Sequence, residues 1–246
     1  MKQDLTLIMG RHPVLEALRE GKPFNRILLQ QGVRGPYETD VRQLTKQKNI
    51  PLQIVPKERI TRFTRANHQG ILGIMSPLPY YLMEDVLPLV YERSQNPLFV
   101  LLDGVTDTRN FGAICRSAEI CGAQAVVVPI KNSVQITADS IKTSAGALLT
   151  LPVCREKSLI STIEYLQLSG VTVLASSLKA ETTLDTLDLK GPVALVLGAE
   201  DKGISYAVEK QVDRLFKLPQ LGQTDSFNVS VAAGIMLYET VRQRKG

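Results

Sequence analysis

Cysteine is scarce in this chain of 246 residues: there are three, Cys115, Cys121 and Cys154, and no two form a CxxC pair. An odd, sparse set builds no disulfide framework and reads as the reduced thiols of a cytoplasmic protein. Long apolar runs are missing as well. No segment reaches the roughly 18 consecutive apolar residues of a membrane span, and the uncharged stretch from Ser226 to Tyr238 is too short and too polar. Met1-Lys2-Gln3-Asp4 opens the chain without an apolar segment or a small-residue cleavage site, so export is not expected. Histidine occurs twice, at His12 and His68. A Ser-His-Asp hydrolase would need one of them to reach across from the front of the chain, and no GxSxG marks a nucleophile. Clusters of metal ligands and the GxGxxG fingerprint are absent too, so no metal is expected. Gly198-Ala199-Glu200-Asp201-Lys202-Gly203 has the glycine spacing of a P-loop. Ile204 stands where its lysine must be, however, and two acids would repel phosphate.

What is present is an ordinary globular composition, 44% hydrophobic and 22% charged. Net charge is +5, and it is unevenly spread. Residues 1–75 hold thirteen Lys and Arg against six acids, residues 76–96 one against three, and residues 97–246 fifteen of each sign. The positive excess therefore lies in the first third. A basic module joined to a neutral working domain is one expectation from that split, and a soluble domain that happens to be basic is the other.

Short apolar runs at Leu5–Met9, Arg26–Gln30, Pro51–Val55 and Gly70–Met75 predict strands. They alternate with helical stretches at His12–Arg19, Pro36–Lys48 and Lys57–Arg65, giving a small α/β sandwich over residues 1–76. Pro77, Pro79, Pro88 and Pro97 break up residues 77–96, which read as a linker with one short helix at Glu84–Glu92. Beyond it come runs apolar on both alternations: Leu98–Leu102, Ala125–Val128, Val171–Ala175, Val193–Leu197 and Leu215–Leu218. Such strands suit a parallel sheet buried on both faces, in an α/β domain over residues 97–246. The helices between them are expected at Gly112–Cys121, Ala138–Leu148, Leu159–Leu168, Ile204–Glu209 and Val229–Arg242.

Three segments stand at the C-terminal ends of these strands, where open α/β sheets place their sites. The first runs from Leu102 to Ala118 and carries Asn110 and Arg116. Asn110 is expected to cap a helix starting near Phe111, with Arg116 about two turns in and nearly on Asn110's side. The second, Leu195–Ser205, runs a strand into Gly198 and then Glu200. The third leads from Leu218 through Asp225, Ser226, Phe227 and Asn228 into an apolar helix. Taken singly these residues have plain explanations: Asn110, Ser226 and Asn228 as helix caps, Arg116 as a surface arginine, Glu200 as a solvated acid. The three segments together carry the inference.

In that order and at those places, the three segments resemble the signature motifs of the SpoU (TrmH-type) RNA ribose 2′-O-methyltransferases of the SPOUT superfamily. The likeness covers about Pro97 to Glu239. Gly10–Leu18 and Asn67-His68-Gln69-Gly70 also resemble the RNA-binding domain of the branch that methylates guanosine ribose in bacterial 23S rRNA. The resemblance implies a C-terminal domain with a deep trefoil knot, assembled as a homodimer, with S-adenosylmethionine as cofactor. Gly198, Leu218 and Phe227 would then contact the cofactor, chiefly through backbone; the family usually has Leu where Phe227 stands. Asn110, Arg116, Glu200, Ser226 and Asn228 match the family's polar site residues.

The reaction so implied is attack of a ribose 2′-hydroxyl on a sulfonium methyl. It needs alignment and either removal of the hydroxyl proton or support for the developing oxyanion. The family's catalytic residue corresponds to Arg116, sometimes described as a base. A guanidinium stays charged in proteins, so holding a phosphate and steadying the alkoxide is the easier role, with Glu200 as the other candidate base. Asn110, Ser226 and Asn228 would orient substrate and loops. The leading expectation is methylation of a 23S rRNA guanosine. Its alternatives are tRNA ribose methylation, a non-catalytic RNA-binding ribosome-assembly factor, and a small-molecule α/β enzyme, which leaves the basic front unexplained.

Overall fold

A computed structural model of the chain describes residues 6–224 and 226–245. Leu5, expected to open the first strand, and Asp225 of the third segment lie outside the described residues. The chain divides into two compact units. One runs to Pro79 and takes in Gln135–Ala138; the other comprises Tyr80–Val134 and the residues from Asp139 on.

The first unit is built from β1 (Leu7–Met9), α1 (Arg11–Arg19), β2 (Phe24–Gln30), α2 (Pro36–Gln47), β3 (Leu52–Val55), α3 (Lys57–Thr61) and β4 (Ile71–Met75). Its sheet has the order β1-β4-β2-β3, with β4 antiparallel to both neighbours and β2 parallel to β3. Val14, Leu15 and Leu18, the face predicted for the first helix, are buried with Phe24, Ile27 and Val41 in one core. Gly73 on β4 is obligatory, because a Cβ there would run into the ring of Phe24.

The second unit contains α4 (Met83–Glu92), β5 (Leu98–Asp103), α5 (Thr108–Ile120), β6 (Ala125–Pro129), α6 (Ala138–Thr143, all but its first residue) and β7 (Val153–Glu156). It continues with α7 (Leu159–Leu168), β8 (Thr172–Ser176), β9 (Val193–Gly198), α8 (Tyr206–Gln211), β10 (Arg214–Phe216) and α9 (Val229–Lys245). All six strands are parallel, in the order β10-β8-β9-β5-β6-β7. Alternate residues such as Phe99, Leu101, Val173 and Val196 share a core with α4, α7 and α8. The other alternation, including Val100, Leu102, Leu195 and Leu197, is equally buried, with α9 against β9 and α5 against both β6 and α9. Double burial is why these strands lack polar alternation. Among the described residues no helix is long and apolar enough to cross a membrane.

From Tyr80 on, the stretch expected as a linker folds into the second unit instead. Tyr81 adds to the open edge of β7, its amide donating to the Val153 carbonyl and its carbonyl accepting from Arg155. Helix α4 buries Met83, Val86, Leu87 and Val90, an i, i+3, i+4, i+7 stripe. The Glu156 carboxylate accepts from the Met83 amide at 2.7 Å, closing the helix end that no side chain of its own caps. Pro88 is tolerated within that helix. Two further expectations change. Strand β7 was not foreseen, and the helix expected over Ala138–Leu148 stops at Thr143, because Ala145 and Gly146 take positive φ of 50° and 90° and a short 3-10 turn follows.

Candidate active site

Helix α5 begins earlier than its sequence suggests. Asp107 is the N-cap: its Oδ1 accepts from the amides of Arg109 and Asn110, both at 2.8 Å. Asn110 is therefore not the cap, and its side chain is released for other partners. Six residues at 3.6 per turn then place Arg116 about a third of a turn round the helix from Asn110, and not on its side. The residue that shares Asn110's face is Ser117, whose hydroxyl lies beside Gly234 of α9.

The Asn110 amide Nδ2 donates to Glu200 Oε1. Asn228 donates from its own Nδ2 to Asn110 Oδ1 at 3.2 Å and to Glu200 Oε1 at 3.5 Å. The Oδ1 of Asn228 is occupied as well, accepting from the Ser230 hydroxyl at 2.6 Å and the Ser230 amide at 3.0 Å, so it closes the first turn of α9. Three residues from the ends of three elements, up to 118 positions apart in the chain, thus form one hydrogen-bonded cluster. Adjacent pairing of β5 with β9, in register from Leu98–Val193 to Asp103–Gly198, delivers the first two to one sheet end.

The turn after β9 is built around Gly198. Ala199 and Gly203 exchange two backbone hydrogen bonds, 3.0 and 2.7 Å, which folds the Glu200 loop tightly back. Any Cβ on Gly198 would overlap the backbone of Gly203 and Ile204. Asp103 at the end of β5 accepts from the Ser205 amide at 2.6 Å and anchors the same loop from the other side.

Beside the cluster lies a cavity of about 310 Å³. Gly198, Leu218 and Phe227 all line it, as do Glu200 and Ser226. Ser226 is exposed and takes no part in the asparagine–glutamate cluster, and Arg116 is exposed with no hydrogen-bond or ion-pair partner among the described residues. The cavity wall also includes Ser176, Ser177 and Lys179 after β8, and Lys217 after β10. The β8 end was overlooked in the sequence, although the rule that pointed to β5 and β9 applies to any parallel strand of the sheet. Lys179 pairs with Glu209 across the wall at 3.6 Å. In all the lining holds three acids and three lysines, so the cavity is charged without carrying a net sign.

Comparison with known proteins agrees with this arrangement. The profile of the SpoU rRNA Methylase family matches residues 97–238, and the profile described as RNA 2′-O ribose methyltransferase substrate binding matches residues 7–81. A Staphylococcus aureus protein named as a TrmH family tRNA/rRNA methyltransferase is 34% identical over 239 residues, 97% of this chain and 96% of that one. A Bacillus subtilis protein of the same designation is 31% identical over 244 residues, 99% of this chain and 98% of its own. Among solved structures, an AdoMet-bound rRNA methyltransferase from Sinorhizobium meliloti superposes with a TM-score of 0.62 at 26% identity, covering 97% of this chain and 87% of that one.

Proposed function

The chain belongs to the SpoU rRNA methylase family, and from that premise we propose that it transfers the methyl group of S-adenosylmethionine to the ribose 2′-hydroxyl of a guanosine in 23S rRNA. The observation that carries the reading is the cluster of Asn110, Glu200 and Asn228 beside the cavity lined by Gly198, Leu218 and Phe227. The residues present suit this cofactor. Apolar walls at Leu197, Ile204, Leu218 and Val229 can hold a flat base, and the balanced acids and lysines suit a sulfonium joined to a zwitterionic amino acid. Phe227 keeps a backbone contact possible and puts an aromatic ring where the family has leucine.

When bound, the cofactor supplies an electrophilic methyl group on sulfur. The chain's own residues do the rest. Arg116, exposed and without a partner among the described residues, engages a substrate phosphate and steadies the 2′-oxygen as charge develops there. Glu200 is the carboxylate at hand to take the hydroxyl proton, held in place by two asparagine amides. Ser226 lies on the cavity wall, where its hydroxyl can orient a ligand. A purely RNA-binding assembly factor would have no use for this cluster. We place the reaction in the cytoplasm and propose that the second and third sequence segments form a trefoil knot, as the resemblance implies.

The protein is expected to be a homodimer through this second unit. Val231, Ile235 and Tyr238 recur at i, i+4, i+7 on α9, are 51%, 39% and 66% exposed, and leave an apolar stripe starting at the candidate site. Tyr238→Glu should convert a dimer of wild-type protein into a monomer in light scattering. An unchanged mass in the variant would rule out that face.

The deciding experiment is transfer of labelled methyl from S-adenosylmethionine to protein-free 23S rRNA, followed by mass spectrometry of the nucleosides. A single 2′-O-methylguanosine is the expected product. Labelling of tRNA alone would replace the rRNA assignment, and no transfer to either RNA or to ribosome-assembly intermediates would move the protein to the non-catalytic class.

A further inference from the structure

Helix α5 carries a second arginine that the candidate site leaves unexplained. Arg109 and Arg116 are seven residues apart, which puts them within about 20° of each other round the helix and about 10 Å apart along it. Both are exposed, and neither side chain has a hydrogen-bond or ion-pair partner among the described residues. Ala113 lies between them on the same side, half-buried, so no bulky residue separates the two guanidiniums.

Acids stand near both arginines and pair with neither. Glu119 follows Arg116 by three positions, a pairing distance on a helix, yet no ion pair forms. Asp107, two residues before Arg109, has its Oδ1 committed to the amides of the helix end. Arg109 is also badly placed for the helix itself. It sits in a first turn that holds no acid, where a cation opposes the macrodipole. A residue that weakens its own helix and pairs with nothing in the chain is not accounted for by folding. Side chains on a helix lean toward its N-terminus, so both arginines lean toward the end of α5 where Asn110 meets Glu200. Their strip lies about 100–120° round the helix from Asn110, bordering the polar cluster without entering it.

Resting on the reading of the chain as an RNA 2′-O-methyltransferase, we propose that Arg109 holds a second phosphate of the substrate strand, beside the one engaged by Arg116. One phosphate contact leaves a strand free to swivel about it. Two contacts in line fix its direction as well as its place, so that the ribose between them turns a defined edge to Glu200. The guanidinium fork suits each contact, because it meets a phosphate with two parallel hydrogen bonds.

Filter binding of 23S rRNA transcript over a range of salt concentrations, with single-turnover methyl transfer by the same full-length proteins, tests the pair. Arg109→Ala should bind RNA about tenfold more weakly and lower the salt slope by about 0.7–1. At saturating RNA its transfer rate should fall by only about twofold, because Arg116 remains. Arg109→Lys should restore the slope and most of the affinity. Arg109→Glu should bind RNA worst of the three while melting no lower than wild type, since an acid suits the first turn of a helix. S-adenosylmethionine affinity should be the same in all of them. Arg93, another exposed arginine, ends α4 and is the control; Arg93→Ala should leave the slope as it is. Wild-type slope and affinity in Arg109→Ala, or an equal loss in Arg93→Ala, would overturn the proposal. So would a loss in Arg109→Glu that follows a lower melting temperature. Failure of the underlying reading is distinct: wild-type protein would then methylate no RNA, while the salt slope of Arg109→Ala would still decide the phosphate contact.

Discussion

Replacing Arg116 by alanine should lower the rate of methyl transfer by about 10²–10³-fold, the usual cost of losing one group aimed at developing charge. S-adenosylmethionine affinity and melting temperature should stay within error of wild type. Both halves follow from the same observation. The Arg116 side chain is exposed and holds no partner in the folded chain among the described residues, so nothing intramolecular is lost with it. On the proposed function, its role lies in what it meets during the reaction. Arg116→Lys sharpens the test, since lysine keeps the charge but not the two-pronged fork that matches a phosphate. That variant should recover a small part of the rate. Single-turnover kinetics with saturating cofactor measure the step directly. Full activity in Arg116→Ala, or a loss traced to weaker cofactor binding, would remove Arg116 from the chemistry.

The second large effect is expected at Gly198. A methyl group there would overlap the backbone of Gly203 and Ile204, and that backbone is held by the reciprocal bonds between Ala199 and Gly203. Neither side is a flexible side chain that could step aside. Gly198→Ala should force the loop open, displacing Glu200 and the cavity wall together, with about 100-fold weaker S-adenosylmethionine binding by calorimetry. Gly122 is the control, for a Cβ there meets nothing within 4 Å although its φ is 76°. Gly122→Ala should cost some stability while leaving cofactor affinity unchanged. Wild-type cofactor binding by Gly198→Ala would mean that the turn rearranges freely and is no part of the pocket.

The strands of the second unit were legible because burial on both faces leaves an unbroken apolar run, as at Leu98–Leu102 and Val193–Leu197. Strand β7 was hidden by the same logic working in reverse. Its sequence, Val-Cys-Arg-Glu, ends in charges, yet Arg155 is buried with its guanidinium 3.8 Å from the centre of the Tyr80 ring, and Glu156 serves the α4 terminus. Helix α4 was partly visible in its apolar stripe and obscured by four prolines near it. At α5 an aspartate three residues upstream took the cap from Asn110, a choice between two good cap residues that composition alone does not decide. The partnership of Asn110, Glu200 and Asn228 spans 118 positions and follows from strand order, which local patterns do not carry. Only the resemblance to a known family pointed to those three residues together.

Asn228 divides its amide between two duties, its oxygen to the first turn of α9 and its nitrogen to Glu200 and Asn110. The carboxylate and the helix end are consequently coupled through a single side chain. The route from Ser226 and Phe227 on the cavity wall to Glu200 thus runs along the chain to Asn228 and across one amide, and not through the sheet.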